Sequence, residues 1–273
     1  MQTKRNVTIF PDLLLALTLT TNLHAITGCT NAYLQGSYGG QISGVVAGVK
    51  PSSPSGGSSI GPALTLNRLV FDGQGSVYGT EAANGNGNLT QWQVAGSYAV
   101  NTDCTVVMAL TDTAGSQQNF NGVLVSGGDR AYLARVDVGF ALSGALERAR
   151  NSCTAADFSG TYGFRRSGAT LSASAVAPAA ASVPSVDSVG LINADGNGSF
   201  SMTESLAGSG ASGWSASTGT YTVGDDCSVT LTFDATAAAG AASVQGTLTN
   251  NRGALFSIET RSSIPVAGSF SVQ

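Results

Sequence analysis

The sequence predicts an all-β protein built from two tandem eight-stranded antiparallel up-and-down barrels, each carrying one disulfide. Composition, an internal repeat and the placement of turns carry that expectation. Glycine supplies 36 of 273 residues, while charged residues make up 10% and aromatics 7%. Such an excess of glycine, with much Ser, Thr, Ala and Asn, favours turns and short strands over long helices. Setting Cys29 against Cys153 aligns CTNAYLQGSYGGQISG with CTAADFSGTYGFRRSG, and the match continues through Asp72-Gly73-Gln74-Gly75-Ser76 against Asp195-Gly196-Asn197-Gly198-Ser199. Further on, GSYAVNTDC answers GTYTVGDDC, and Ser143-Gly144-Ala145-Leu146 answers Ala267-Gly268-Ser269-Phe270. Two units of roughly 120 residues follow, each long enough to bury a core and too few for a solenoid.

Residues 1–25 read as a secretory signal. Lys4 and Arg5 form a basic start, LLLALTL at 13–19 is a short apolar run, and Leu23-His24-Ala25 is a small-residue cleavage site. The run is too short to span a bilayer, and no later stretch is long and apolar enough to do so. Ile26-Thr27-Gly28-Cys29 spells a lipobox. Polar Thr20, Thr21, Asn22 and His24 separate it from the apolar run, which favours a disulfide role for Cys29. The division expected is signal 1–25, first barrel 26–150 and second barrel 151–273.

Each unit reads as eight short segments of alternating polarity. In the first they begin near Tyr33, Ala63, Ser76, Leu89, Thr105, Asn119, Arg130 and Ala141; in the second near Asp157, Val186, Ser199, Trp214, Ser228, Ser243, Ala254 and Pro265. Alternation is clearest in the fourth, where Trp92, Val94, Gly96, Tyr98 and Val100 share one face of a half-buried strand. Connections after even strands are tight, such as Asp72-Gly73-Gln74-Gly75 and Asn101-Thr102-Asp103. Those after odd strands are looser, the longest being 44–59 and 168–185. In a meander all odd strands run one way, so a barrel with one tight end and one loop-ringed mouth is expected. Cys29, Cys104, Cys153 and Cys227 each precede an odd strand and so belong at the tight end. Of the three connectivities possible, Cys29–Cys104 and Cys153–Cys227 fit best. Such bridges form in an oxidising compartment, in keeping with export.

Eight strands in sequential order, a disulfide-crossed base, a long first loop over the mouth and Gly36-x-Tyr38 in the opening strand resemble the calycin barrels, the lipocalin and avidin relatives. Gly160-x-Tyr162 repeats that motif where lipocalins carry Gly-x-Trp. The basic residue that lipocalins set over that tryptophan corresponds to Arg148 in the first unit, and the second unit has none. The resemblance implies a cup with a mouth that can hold a small molecule.

Several motifs point to chemistry without the context it needs. Gly57-Ser58-Ser59-Ile60-Gly61 spells a nucleophile elbow, yet His24 is the one histidine and leaves with the signal. Gly208-x-Gly210-x-x-Gly213 lacks the strand-to-helix setting of a dinucleotide fingerprint. Asn193-x-Asp195-x-Asn197-Gly198 with Glu204 has the spacing of a calcium loop, but the first unit has Val70 at the first ligand position, and a hairpin turn accounts for the pattern. Zinc is disfavoured with the cysteines committed. No cofactor is therefore expected. Formal charge is −4, from 12 basic and 16 acidic residues, so there is no footprint for nucleic acid.

The candidate ligand-contacting residues are Tyr38, Glu81, Trp92 and Tyr98, with Tyr162, Glu204 and Tyr221 in the second unit. Glu81 and Glu204 share parity with Val77 and Phe200 near the mouth end of the third strand. An inward carboxylate there would fix the polar end of a bound molecule, although a solvated strand end is the plainer expectation. The four tyrosines recur at equivalent inward positions and read as structural. Phe158, Phe164, Phe200, Met202 and Phe233 suggest a solid second barrel, whereas inward Gly36, Gly40, Gly79, Gly96 and Gly122 suggest room in the first, mouthed by 44–59 and 81–88. The function expected is an exported non-catalytic binder of a small apolar or amphipathic molecule. The alternative is a structural or cell-surface interaction protein with solid barrels, and an enzyme using Tyr38 or Glu81 comes third.

Overall fold

The computed structural model describes residues 28–47, 60–85, 88–169, 185–207, 213–234, 243–249, 255–259 and 266–273. The leader expected at 1–25, most of the two long first loops, both serines of the GSSIG motif and most of the 208–213 motif lie outside the described residues. Two closed antiparallel barrels stand in tandem, each with its strands in sequential order. The first comprises β1 (Gln35–Ala47), β2 (Ile60–Asp72), β3 (Ser76–Gly85), β4 (Asn88–Val100), β5 (Thr105–Asp112), β6 (Gln117–Val125), β7 (Arg130–Arg135) and β8 (Phe140–Arg148), which closes on β1. The second comprises β9 (Ser159–Ala169), β10 (Ser185–Asp195), β11 (Ser199–Leu206), β12 (Ser215–Val223), β13 (Ser228–Phe233), β14 (Ser243–Leu248), β15 (Leu255–Glu259) and β16 (Val266–Val272), which closes on β9. No described helix is long and apolar enough to cross a membrane.

Period-two patterning explains the strands. In β5, Val106, Met108, Leu110 and Asp112 are buried while the residues between them are exposed. The turns are set by side chains that capture backbone amides. Asp72 Oδ1 accepts from the amides of Gln74, Gly75 and Ser76 at 2.7, 2.9 and 2.9 Å, and Gly73 and Gly75 take the positive φ angles the turn requires. Those bonds, from Gln74 first, hold the Asp72 carboxyl below its ordinary range. Asp195 does the same with Asn197 and Ser199. The calcium-loop spacing in the second unit therefore serves a hairpin turn at its Asp195 end.

The bridges are Cys29–Cys104 and Cys153–Cys227, as the parity argument expects. Cys104 and Cys227 both take left-handed φ angles, 67° and 64°, at the residue that closes each base turn. Cys104 N donates to Asn101 O and Asp103 Oδ1 accepts from Thr105 N, so this hairpin is a turn closed by one left-handed residue. Two structural disulfides fit an oxidising, extracellular-type environment.

Tyrosine hydroxyls bind backbone carbonyls at each base, and those of Tyr98 and Tyr221 tie it to the lead-in segment. Tyr38 donates to Gly128 O at 2.6 Å and Tyr98 to Leu34 O at 2.8 Å, while Tyr221 donates to Phe158 O at 2.8 Å and Tyr162 to Ser159 O at 3.2 Å. The Arg148 guanidinium sits 4.9 Å from the centre of the Tyr38 ring. Burial pushes the Tyr38 hydroxyl up to about 12, and the Arg148 charge opposes it.

Above the base, inward side chains of each barrel meet in one contiguous apolar cluster. Four of the five glycines expected to leave room in the first barrel, Gly40, Gly79, Gly96 and Gly122, do something else. A Cβ at Gly79 would lie 1.9 Å from Arg68 O, and one at Gly96 would lie 1.8 Å from Ala109 O. These positions let neighbouring strands approach closely, so they report backbone contact and not open volume.

A third cluster joins the barrels. Leu64, Leu66 and Ala82 on the outer face of the first pack with Ile258 and Phe256 of the second. Gln41 Nε2 donates to Ser257 O at 2.8 Å, Thr249 Oγ1 donates to Glu147 Oε2 at 3.2 Å, and Arg68 pairs with Asp226 across the same seam. The two barrels therefore share a partly apolar interface.

Candidate functional site

The site of most chemical interest lies on the inward face of β2 and β3. Strand register puts Asn67 directly beside Glu81, and Trp92 of β4 directly beside Glu81 on the other side. Glu81 and Asn67 are 3% and 1% exposed. The expectation of a solvated strand end is thus overturned for Glu81. Its neighbours from β2 and β6, Asn67 and Gln118, also face inward and are themselves buried.

Hydrogen bonding at this layer is incomplete. Asn67 Nδ2 donates to Thr65 Oγ1 at 3.0 Å, and Gln118 Nε2 donates to Glu81 Oε1 at 3.2 Å. Among the described residues, Glu81 Oε2 and Asn67 Oδ1 have no partner. Burial raises the Glu81 carboxyl above its ordinary value, while the Gln118 bond and the Arg135 charge oppose the shift and Asp112 adds to it. Arg135 is itself engaged, with Nε 2.7 Å from Asp137 Oδ2 and its guanidinium 3.5 Å from the Phe140 ring centre. Asp112 Oδ1 accepts from the amides of Ala114 and Ser116.

The second barrel solves the same layer differently. Glu204, also 3% exposed and so not a solvated strand end either, accepts from Arg166 Nε at 3.0 Å and from Arg166 Nη2. Arg166 Nε also lies 3.3 Å from Ser188 Oγ. In the repeat alignment Arg166, Ser188, Gly190 and Glu204 correspond to Ile42, Thr65, Asn67 and Glu81. The registers agree, since Arg166 pairs with Ser188 as Ile42 pairs with Thr65. One barrel carries its own guanidinium against the buried carboxylate; the other has isoleucine at that place.

The structure does not bring the tyrosines to this layer. Tyr38, Tyr98, Tyr162 and Tyr221 are buried at the bases, with their hydroxyls bound to backbone carbonyls. Trp92 is half-buried beside Glu81, whereas Trp214 is 65% exposed on the outside of the second barrel. A cleft of about 450 Å³ runs between the barrels, with Arg68, Thr80, Gln91, Gln93, Asp226 and Gln245 in its walls; Glu81 and Trp92 also contribute to its lining. Gln91 Nε2 spans it to Gln245 Oε1 at 2.8 Å.

Asn67, Gln118 and Arg166 escape the sequence reading. Each had a signal. Asn67 has the parity of Leu69 and Phe71, Gln118 that of Phe120, and Arg166 that of Tyr162 and Phe164. A polar residue on the apolar parity of a strand marks a buried polar contact.

Among the described residues, no group of His, Cys, Asp or Glu is placed to hold a metal ion. What the layer offers chemically is acceptors: a carboxylate oxygen and an amide oxygen, adjacent and inward. No protein-family model matches this chain, and no curated protein matches it.

Proposed function

We propose that the chain is an exported, non-catalytic binding protein whose first barrel holds a small amphipathic molecule near its mouth. The observation that carries this reading is the pair of buried, unpartnered acceptors at Glu81 and Asn67. Leaving a buried polar atom unpaired costs about 1–3 kcal/mol, more for a charged one, so such pairs are rare unless something else completes them. A bound molecule with donors at its polar end would do so. Two disulfides support export, and the sequential strand order with Arg148 over the Tyr38 ring supports the likeness to calycin cups. Native mass spectrometry of protein purified from its own host is the test. A chain carrying a stoichiometric small-molecule adduct is expected; a bare mass with nothing extractable would overturn the reading.

The contiguous apolar clusters filling both barrels favour a second reading, a surface-interaction protein with solid barrels. A bare native mass would favour it.

A further inference from the structure

Resting on that reading, we infer that the molecule held beside Glu81 presents an organic ammonium group, and that the second barrel is closed to such a molecule because Arg166 already fills the equivalent place.

The open atoms are both acceptors, Oε2 of Glu81 and Oδ1 of Asn67. Only a group that donates can complete them. Carboxylates and phosphates would add like charge to a buried carboxylate. A protonated amine carries three donors and the charge that offsets Glu81, so one group satisfies both atoms. The register adds Trp92 on the strand beside Glu81, and an indole attracts cations.

The charges around Glu81 agree. Arg135 is the cation that acts on it, and Arg135 is bound to Asp137 and stacked on Phe140. Among the described residues, Glu81, Asp112 and Asp137 outnumber that cation. The second barrel supplies an internal control. There a guanidinium donates to the equivalent carboxylate and lies within reach of the Ser188 hydroxyl, the position of Thr65. Replacing that arginine by Ile42 removes the donor and the charge while the carboxylate stays.

The test uses the full chain and isothermal titration with n-octylammonium, n-octanol and octanoate near neutral pH. Octylammonium is expected to bind at one site per chain, octanol about ten-fold more weakly or worse, and octanoate not at all. Glu81→Gln should weaken octylammonium about ten-fold or more, and Ile42→Arg should abolish its binding by supplying the second barrel's own cation. If Ile42→Arg fails to fold, the near-isosteric Glu81→Gln carries the test. Equal binding of octylammonium and octanol, or no effect of Glu81→Gln, overturns the ammonium assignment and leaves the binding reading standing. So does a Glu81-dependent infrared band of a protonated carboxyl that persists in saturating octylammonium, since that acid would be donating to Asn67 itself. If none of the three probes binds, the ammonium assignment falls. A bare native mass in addition removes the binding reading.

Discussion

Arg166 and Glu204 face each other inside the second barrel, Nε 3.0 Å from Oε1, with both side chains almost fully buried. The two repeats thus share a register but not a charge balance, because the matching pair in the first barrel is Ile42 and Glu81.

Removing one member of the buried pair should be costly. Arg166→Met strands a carboxylate with no cation, for which a loss of about 3–5 kcal/mol is expected. Adding Glu204→Leu should recover most of it, because two apolar side chains leave no buried charge. Guanidinium chloride denaturation of the two variants reads both numbers. A single-variant loss below about 1 kcal/mol would mean that the pair is not what holds this layer.

The first barrel should show a pH dependence of opposite origin. The folded carboxyl of Glu81 sits above the ordinary glutamate value of 4.5. The folded state therefore holds its proton more tightly than the unfolded state does. Stability from this group is fully present below about 4.5 and declines as pH rises through the raised folded value. Glu81→Gln has no proton to lose. The difference in melting temperature, variant minus wild type, should grow in the variant's favour between pH 4 and pH 7. A flat difference would show that the burial does not act on the carboxyl.

Each disulfide should stabilise its own barrel. Cys29 and Cys104 lie 75 residues apart, and Cys153 and Cys227 lie 74 apart. In the chain-entropy model, closing loops of this length is worth about 4 kcal/mol. Replacing both cysteines of one bridge by alanine should lower the denaturation midpoint of that barrel, followed by its own tryptophan: Trp92 in the first barrel and Trp214 in the second. Equal shifts in both barrels from a single deletion made in the Ile258→Ala background, where the seam between the barrels is weakened, would contradict independent stapling.

The seam between barrels should couple their unfolding. Ile258→Ala removes a fully buried side chain from the inter-barrel cluster, at an expected cost of about 2–5 kcal/mol. It should also separate the calorimetric transitions of the two barrels. Arg68→Ala breaks the ion pair to Asp226, whose side chain is 55% exposed, and should cost no more than about 1 kcal/mol. A larger effect from Arg68→Ala than from Ile258→Ala would reverse the ranking of apolar and ionic contributions to this seam.

What the sequence by itself determined is everything governed by near neighbours and by repetition. Alternation in β4 placed Tyr98 inward, Asp72 and Asp195 placed the base turns, and the duplicated cysteine positions chose the pairing. These are readable because strand period and turn chemistry act over a few residues and occur twice. Parity also put Glu81 on the inward face. Only the tertiary structure decided that Glu81 is buried and half-satisfied, because its neighbours Asn67, Trp92 and Gln118 come from three other strands, and their register depends on closing the barrel. The same holds for Leu64, Leu66 and Ile258. Their parity places them on outer faces, where alternation predicts solvent, and they are buried because a second barrel covers them. Gly40, Gly79, Gly96 and Gly122 went the other way: missing side chains suggested space, but folding brought neighbouring backbone into it. An alternating pattern records which way a side chain points, whereas burial depends on what the rest of the chain brings to meet it.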